Sequence, residues 1–429
     1  MYRLWAVFAV IGLGAGLAGA TSPDPQTLKV PPQDLSKARA LVQKLGSTLF
    51  RERERAQDEL AGMGRLARVA LLEAVSADPS PEVRARSAQL LPRAEAADLQ
   101  ARIDTFLADT EAKFEHDIPA WTPFRKAVVD KEDQTGVAAR GLFIEMLKSR
   151  PNLDLLIALN GSPAEAGRVI ADRRLEMFFQ ANPQLRGQFN ANVGVTRTQP
   201  LTLADVAAIL FAEIVVPSKD IPKPGPFAGI SGATFAQQAV AMNAINNPAN
   251  NPHSETYRRL LIKWIETRTG PDELSNMVTI VSRMPQMKEA CAILRRVVET
   301  EGVQGWAKAQ AVIALAQKNG KDEQAFLKTL LTSESLVGNI FLGQAANGMA
   351  KLAPCQLRDV ALAMLIAQSG QTLKDYGYES ASFSNTDPLR NPHPTYAFLT
   401  DEDRVKAFKM WAAWEAKKAD KTDIGSPKK

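Results

Sequence analysis

Apolar side chains recur along most of this chain at the spacing of an α-helix. The clearest example consists of Tyr257, Leu260, Leu261, Trp264 and Ile265. Intervals of three and four residues place these side chains on one face of a helix. Gly270 is expected to end that helix, and Pro271 to begin the next one. The spacing predicts a chain built mainly of helices.

Start signals at several of the predicted helices support this interpretation. Ser162-Pro163-Ala164-Glu165 combines a capping serine, a first-turn proline and a glutamate that completes a capping box. Thr202 with Asp205, and Thr400 with Asp403, are shorter versions of the same signal. Alternating β-branched runs are scarce, and only Val193 to Thr198 reads as extended. The predicted fold class is therefore all-α.

Residues 35 to 94 are predicted to form helical hairpins that repeat one another. Their apolar sides comprise Phe50, Ala56, Leu60, Ala61 and Met63 in one helix, Leu66, Val69, Ala70 and Leu72 in the next, and then Val83, Leu90 and Leu91. Arg53, Arg55 and Leu60 recur about 31 residues later as Arg84, Arg86 and Leu91. A period of this length is typical of stacked helix pairs, because each pair buries its apolar face only against its neighbours.

This segment resembles HEAT-type helical repeats. The residues that carry the resemblance are Arg55-Ala56, Leu60, Gly64, Leu71, Asp78-Pro79, Pro81, Val83-Arg84 and Leu90-Leu91. The resemblance covers about 60 residues and implies an α-α superhelix, a HEAT-like solenoid of stacked hairpins with long irregular loops. It also implies structural roles for Asp78 and Arg84. The whole chain resembles uncharacterised secreted bacterial proteins, which implies no activity.

The first twenty residues have the form of a signal peptide. Arg3 supplies a positive charge, residues 4 to 17 are apolar, and Ala18-Gly19-Ala20 has the small-x-small form that signal peptidase accepts. We expect cleavage after Ala20 and a periplasmic or secreted mature chain. An uncleaved membrane anchor is the alternative, although the apolar run is short for a span, which needs about 20 residues. No later stretch approaches that length.

The expected domain order follows from proline content and from shifts in periodicity. It is a signal peptide (1–20), a polar linker (21–33), HEAT-like repeats (34–97), a helical region (98–216), a Pro-rich crossing (217–232), a second helical region (233–419) and a disordered tail (420–429). The second helical region contains an aromatic-rich loop (371–399) and a C-terminal capping helix. The Pro-rich crossing is the predicted boundary between two halves of the chain.

Composition and charge narrow the possible partners. The formal net charge of +5 arises from 52 basic and 47 acidic residues that are mixed along the chain, which disfavours nucleic-acid binding. Hydrophobic residues make up 45% of the chain, enough for a substantial core. Cys291 and Cys355 either pair in an oxidising compartment or are buried separately, and their apolar neighbours favour separate burial.

Motifs for catalysis or for cofactor binding are missing from the sequence. The Gly14, Gly16 and Gly19 spacing lies inside the signal segment and lacks the strand and helix that a dinucleotide site requires. His253 and His393 each follow Asn-Pro in a predicted loop. The two loops could converge on a metal or a base, but two histidines that face water are the simpler interpretation. We expect no catalytic, cofactor-binding or metal-binding residues.

Two further features each have two interpretations. His116, between Glu115 and Asp117, is expected to be a surface charge partner rather than a catalyst. Glu145 is either a partly buried acid or an exposed partner of Lys148.

The aromatic residues also have two interpretations. Trp121 and Phe124 flank Pro123. Phe408, Trp411 and Trp414 recur three residues apart. They form either a binding platform for carbohydrate or peptide, or the core face of a capping helix that includes Val405 and Ala412. A further cluster of aromatic residues, in and around the loop 371–399, consists of Tyr376, Tyr378, Phe383, Tyr396 and Phe398. These five rings either pin a loop onto the helices or form a recognition surface.

The function predicted on these grounds is an exported, non-catalytic protein-interaction or scaffold protein built on an α-solenoid. A protein partner is expected, with no nucleic acid and no membrane span after signal cleavage. The alternative is an extracytoplasmic hydrolase whose carboxylates are dispersed along the chain. A pocket with convergent acids or histidines would favour the hydrolase, and a long groove would favour the scaffold.

Overall fold

A computed structural model describes residues 22–129, 136–185, 200–223, 225–284, 288–342, 351–378 and 396–424. Helices make up 75% of the structure, which confirms the all-α prediction. The signal segment, the extended stretch Val193–Thr198, Phe383 and His393 lie outside the described residues. No helix in the described ranges combines the length and apolar character needed to cross a membrane.

The chain divides into two compact units. The N-terminal unit consists of Met1–Thr122 and Asp133–Arg140, and the C-terminal unit of Pro123–Glu132 and Gly141–Lys429. The helices that begin in the N-terminal unit are α1 (Pro32–Lys44), α2 (Phe50–Met63), α3 (Arg68–Ala77), α4 (Pro81–Ala108), α5 (Trp121–Val128) and α6 (Val137–Leu147). The last two of these continue into the C-terminal unit.

The elements of the C-terminal unit follow in chain order. The helices before the strands are α7 (Arg150–Ala158), α8 (Pro163–Ala181), α9 (Leu203–Val215), α10 (Gly232–Ala236), α11 (Ala239–Asn246), α12 (Ser254–Glu266), α13 (Pro271–Arg283), α14 (Lys288–Glu299), α15 (Gly305–Asn319) and α16 (Gln324–Thr329). Strands β1 (Leu336–Leu342) and β2 (Lys351–Gln356) come next, and α17 (Leu357–Gln368) and α18 (Asp401–Ile424) complete the unit.

Two turns of the N-terminal unit, before α2 and before α4, have matching hydrogen bonds. Helices α2 and α4 begin after residues in almost the same conformation, Leu49 (φ −88°, ψ 119°) and Ser80 (φ −78°, ψ 119°). Arg53 Nη1 donates to the carbonyl oxygen of Ser47 at 2.8 Å, and Arg84 Nη1 donates to that of Asp78 at 2.7 Å. Each arginine thus binds the carbonyl six residues before it, at the turn that precedes its helix.

A shared core holds these helices together. Helix α1 packs against α2 and α3, and α4 packs against the same two helices. The buried apolar residues include Leu41, Leu45, Ala56, Leu60, Ala70, Leu71 and Val83, while Leu90 and Leu91 are partly buried against them. This arrangement places most of the predicted apolar positions inward.

Four sequence expectations for the N-terminal unit are wrong. Phe50 and Leu72 are 62% and 45% exposed, because Ala56 and Leu71 take the core positions of their helices. Residues 25–28 of the predicted polar linker form a short 3₁₀ helix, and Arg65 Nη1 donates to the carbonyl of Leu28 at 2.7 Å. The predicted repeat boundary after residue 97 falls inside α4, which continues through Ala-rich sequence to Ala108.

The C-terminal unit is centred on helices that are buried almost all round. Residues 203–213 of α9 are all buried, as are residues 359–366 of α17. The Pro-rich crossing 217–232 contains short 3₁₀ turns and does not divide the chain into halves. Helices on its two sides pack directly, α9 against α10 and α12, so the segment lies within one compact unit.

The sequence did not predict the two-stranded antiparallel sheet. Strands β1 and β2 pair with Gly338 opposite Cys355 and Asn339 opposite Pro354. Gly338 and Pro354 are poor strand formers, and they interrupt the alternation of β-branched residues that predicts a strand. Cys291 and Cys355 are both buried and free, so the expected separate burial is confirmed.

Helix α18 buries only part of the predicted face, which includes Trp411. Arg404, Ala407 and Trp411 are buried, whereas Val405 is 52% exposed and Ala412 is also exposed. A buried arginine therefore replaces the predicted valine on the inner side. The helix continues to Ile424, past residue 420, where a disordered tail was expected.

Candidate functional site

The loop after α4 in the N-terminal unit is organised by one buried carboxylate. Asp109 is fully buried, and it accepts hydrogen bonds from the backbone N–H groups of Lys113 and Phe114, each at 3.0 Å. His116 Nε2 lies 2.9 Å from Asp109 Oδ2. Burial by itself would raise the pKa of Asp109, but hydrogen bonds from His116, Phe114, Lys113 and Ser22 lower that pKa to about 2. The carboxylate is ionised at neutral pH, so His116 Nε2–H is the donor.

Cationic and aromatic groups surround this pair. The edge of His116 meets the Phe106 ring, with ring centroids 5.2 Å apart. The Arg140 guanidinium lies 4.0 Å from the centroid of the same phenylalanine, and burial lowers the pKa of Arg140. Ala112 and Ala120 have φ angles of 52° and 64°, a left-handed conformation that costs free energy for a residue other than glycine.

His116 is buried, contrary to the sequence expectation of a surface charge partner. Its partner is Asp109, seven residues earlier, and the neighbouring Asp117 instead pairs with Arg102 at 3.0 Å. The acidic neighbours of His116 suggested an exposed position. The contact with Asp109 depends on the loop folding back onto α4, and no local spacing in the sequence indicates such a contact.

The imidazole of His116 also lines a groove of about 460 Å³ in the N-terminal unit. The other lining residues are Pro25, Gln26, Leu28, Lys29, Val30, Arg68, Val69, Asp98, Arg102, Glu115, Asp117 and Ile118. An ionised aspartate bonded to a histidine orients the imidazole as a proton acceptor. These lining residues include no serine, threonine or cysteine that could act as a nucleophile.

A second buried carboxylate, Glu213 of α9, is the polar centre of the C-terminal unit. Glu213 Oε1 accepts from Arg174 Nε of α8 at 2.8 Å and from the Gly232 N–H of α10 at 2.7 Å. Its Oε2 accepts from Trp264 Nε1 of α12 at 2.8 Å, and its backbone carbonyl accepts from Arg268. Three helices, α8, α10 and α12, are thereby bound to one side chain that is 1% exposed.

Glycine is required at position 232 of this cluster. A Cβ there would lie 2.7 Å from Glu213 Oε2, 2.8 Å from Leu210 Cδ2 and 2.9 Å from Trp264 Cζ2. The close approach of the α10 backbone is what allows its N–H to reach the carboxylate.

Helices α8 and α9 share a second buried ion pair. Arg173 Nη2 lies 2.7 Å from Asp205 Oδ1 and 3.0 Å from Asn152 Oδ1. Asn152 Nδ2 donates to the same Asp205 oxygen at 3.1 Å. Asp205 also completes the predicted capping box with Thr202, so one side chain both starts α9 and holds α8.

A third buried pair joins α17 to α18. Arg404 Nε donates to Asp359 Oδ1 at 2.8 Å, and Tyr378 Oη donates to the Asp359 carbonyl at 2.8 Å. The ring centroids of Tyr378 and Phe398 are 4.4 Å apart. Tyr376, Tyr378, Tyr396 and Phe398 are all buried, which confirms that these described rings pin their chain segments onto the helices.

Other predicted candidates have simpler environments. Glu145 is paired with Lys148 at 2.6 Å and is 42% exposed, so it is the exposed partner rather than a buried acid. His253 is half-buried rather than facing water, and burial lowers its pKa. Trp121 and Phe124 are core residues.

Sequence reasoning missed Glu213, although the chain carries a signal for it. This glutamate lies between the apolar runs 209–212 and 214–216, where an unpaired charge would be costly. Among the described residues there is no group of three histidine, cysteine, aspartate or glutamate side chains that could hold a metal ion. Asp205, Glu213 and Asp359 are each paired with an arginine whose side chain is largely buried, which is the geometry of structural clusters.

No family model matches this chain, and neither the curated proteins nor the solved structures compared with it provide a match.

Proposed function

We propose that this chain is an exported, non-catalytic protein-interaction or scaffold protein built on stacked helical hairpins, with a contact surface at the start of α2. The observation that carries the proposal is the exposure of Leu49 and Phe50, at 60% and 62%. Two adjacent large apolar side chains are open to solvent, and the exposed charges of Arg51 and Glu52 follow them. Apolar or aromatic anchors with charged neighbours are common in protein interfaces.

Helix formation does not account for these two residues. At the equivalent place in the second hairpin, Ser80 caps α4 by accepting from the Val83 N–H, and Pro81 occupies the first turn. Leu49 has the same backbone conformation but makes no capping hydrogen bond. A leucine in place of a capping serine costs about 1 kcal/mol of helix stability. A partner that covers the side chain would offset that cost.

The hydrolase alternative rests on the Asp109–His116 pair beside its groove. Asp109 receives hydrogen bonds from two backbone groups of its own loop as well as from the imidazole, so holding the loop accounts for its burial. The groove lining supplies no hydroxyl or thiol nucleophile. These contacts favour the scaffold.

Site-specific photo-crosslinking tests the proposed surface. A photoreactive side chain at position 50 should give discrete protein adducts in the exported fraction. The matched control is position 72 on α3, where Leu72 is also exposed, at 45%. Adducts that are the same at both positions, or absent at position 50, would contradict the proposal.

Export has its own test. N-terminal sequencing of the protein recovered outside the cytoplasm is expected to begin at Thr21, after the Ala18-Gly19-Ala20 site. A recovered chain that still begins at Met1 would indicate a retained anchor.

A further inference from the structure

Two tryptophans of α18 stack at the edge of a groove in the C-terminal unit. Trp411 and Trp414 are one helical turn apart, their ring centroids are 4.9 Å apart, and their planes differ by 27°. Trp411 is 4% exposed, whereas Trp414 is half-buried. With Gln324 and Lys328 of α16 they line a groove of about 500 Å³, hereafter the tryptophan groove. This volume is in the range of small-molecule sites, roughly 300–1,000 Å³.

Polar groups stand beside these rings. Lys328 Nζ lies 2.6 Å from Glu415 Oε1, and both residues line the groove. Lys418 Nζ lies 5.1 Å from the centroid of Trp414, so an exposed and flexible side chain covers that ring. The groove thus offers an indole together with an ammonium, a carboxylate and the amide of Gln324.

Within the described part of the chain, the indole N–H of Trp411 is a buried donor without a hydrogen-bond partner. A buried tryptophan N–H ordinarily has an acceptor, because an unpaired donor in the interior destabilises the fold. Packing of the indole against the helices accounts for its burial but leaves the donor unexplained. This N–H group is itself closed to solvent, so a ligand in the groove would meet the half-buried ring of Trp414 rather than this donor.

We propose that the tryptophan groove binds a carbohydrate. A sugar ring combines an apolar C–H face, which stacks on an indole, with hydroxyl groups that both donate and accept hydrogen bonds. The Lys328–Glu415 pair supplies both a hydrogen-bond donor and an acceptor. Its two charges cancel, which disfavours a strongly charged ligand. An extended peptide is disfavoured because the walls are helices α16, α17 and α18, which present no strand edge for main-chain pairing. This site lies in the C-terminal unit and does not depend on the contact surface proposed at α2.

Calorimetric titration of the mature chain with three tetrasaccharides tests the inference. The probes are cellotetraose, maltotetraose and the tetramer of N-acetylglucosamine. We expect at least one to bind, and Trp414→Ala to weaken that binding by about tenfold or more, since the stacking face is lost. Trp414→Phe keeps an aromatic face and should recover part of the affinity.

The control is Trp306→Ala, because Trp306 of α15 is 40% exposed and does not line the groove. This variant should bind the sugar as the parent does. Thermal melting of each variant separates loss of the ligand from loss of the fold. Failure of all three sugars to bind the parent chain would overturn the inference, as would equal binding by the Trp414→Ala variant. Peptides from a protein digest that bind the parent but not Trp414→Ala, with no sugar bound, would overturn it in favour of a peptide site.

Discussion

Two ion pairs that join neighbouring helices, one in each unit, lie in opposite environments. In the N-terminal unit, Arg39 of α1 binds Glu73 of α3 at 2.7 Å, with side chains 55% and 48% exposed. In the C-terminal unit, Arg174 of α8 binds Glu213 of α9 at the same distance, with side chains 11% and 1% exposed. Similar geometry therefore has different energetic consequences, because water screens the first pair and is excluded from the second.

This contrast shows what determines each part of the fold. Helices of the N-terminal unit are held by a repeated apolar face, and their charges lie mostly outside. Helices of the C-terminal unit are also held by buried carboxylates, each of which needs its arginine partner in place. Removing one member of such a buried pair leaves the other charge without compensation.

The largest expected effect is therefore that of Glu213→Ala. The change leaves Arg174 without its partner and removes the acceptors of the Trp264 and Gly232 N–H groups. We expect a loss of about 3–5 kcal/mol in the free energy of unfolding. Chemical denaturation followed by circular dichroism measures it.

Glu73→Ala is the matched control from the N-terminal unit, since Glu73 also binds an arginine of another helix. Its midpoint of denaturation should stay close to that of the parent, because this pair is exposed. Equal losses from the two glutamate changes would contradict the contrast between the units.

The loss of stability on truncating a leucine of the N-terminal unit should increase with the burial of that leucine. Leu60 is 1% exposed, whereas Leu90 is only partly buried at the edge of the same core. We expect Leu60→Ala to cost about 2–5 kcal/mol, and Leu90→Ala to cost clearly less. The two free energies of unfolding give the comparison, and a larger loss at position 90 would mean that the assigned faces are wrong.

The contributions of two buried aspartates to stability, one in each unit, should depend on pH in opposite directions. Hydrogen bonds keep the pKa of Asp109 at about 2, below its ordinary value of 3.8, despite burial. Its contribution is present above pH 3.8 and is lost as the pH falls towards 2. Burial instead raises the pKa of Asp359, so its contribution has the opposite sign and decreases as the pH rises.

Asp109→Asn tests the first of these signs. The variant should be less stable than the parent by about 2 kcal/mol at neutral pH. The difference should shrink in acid, because a protonated aspartate resembles asparagine. Denaturation midpoints over an acid pH series provide the measurement. A difference that is constant with pH would show that the carboxylate charge contributes nothing.

The difference between the units also explains how much the sequence could predict. The matching positions of Arg53 and Arg84 could be found in the sequence because each arginine binds a carbonyl only six residues before it. Glu213 binds groups from α8, α10 and α12, which no local spacing records. Sequence showed only that its charge lies in an apolar run. His116 was misplaced for a related reason, since Asp109 reaches it through the turn of a loop.

The smallest predicted effect has the opposite sign from the others. Leu49 and Ser80 begin α2 and α4 in nearly the same conformation, but only Ser80 caps its helix. Leu49→Ser should therefore stabilise the N-terminal unit, by about 0.5–1 kcal/mol, because the new hydroxyl can accept from a first-turn N–H group. Arg51→Ala, a neighbouring surface change, should alter stability by less than about 0.5 kcal/mol.

The same leucine is proposed to contact a partner, so stability and binding should diverge in the Leu49→Ser variant. Its midpoint of denaturation should rise while the yield of crosslinked adducts from position 50 falls. A lower midpoint would show that Leu49 contributes to the fold, and that its 60% exposure is compatible with a packing role. An unchanged adduct yield would remove Leu49 from the contact surface. A higher midpoint together with a lower adduct yield would show that Leu49 serves binding at a cost to the stability of α2.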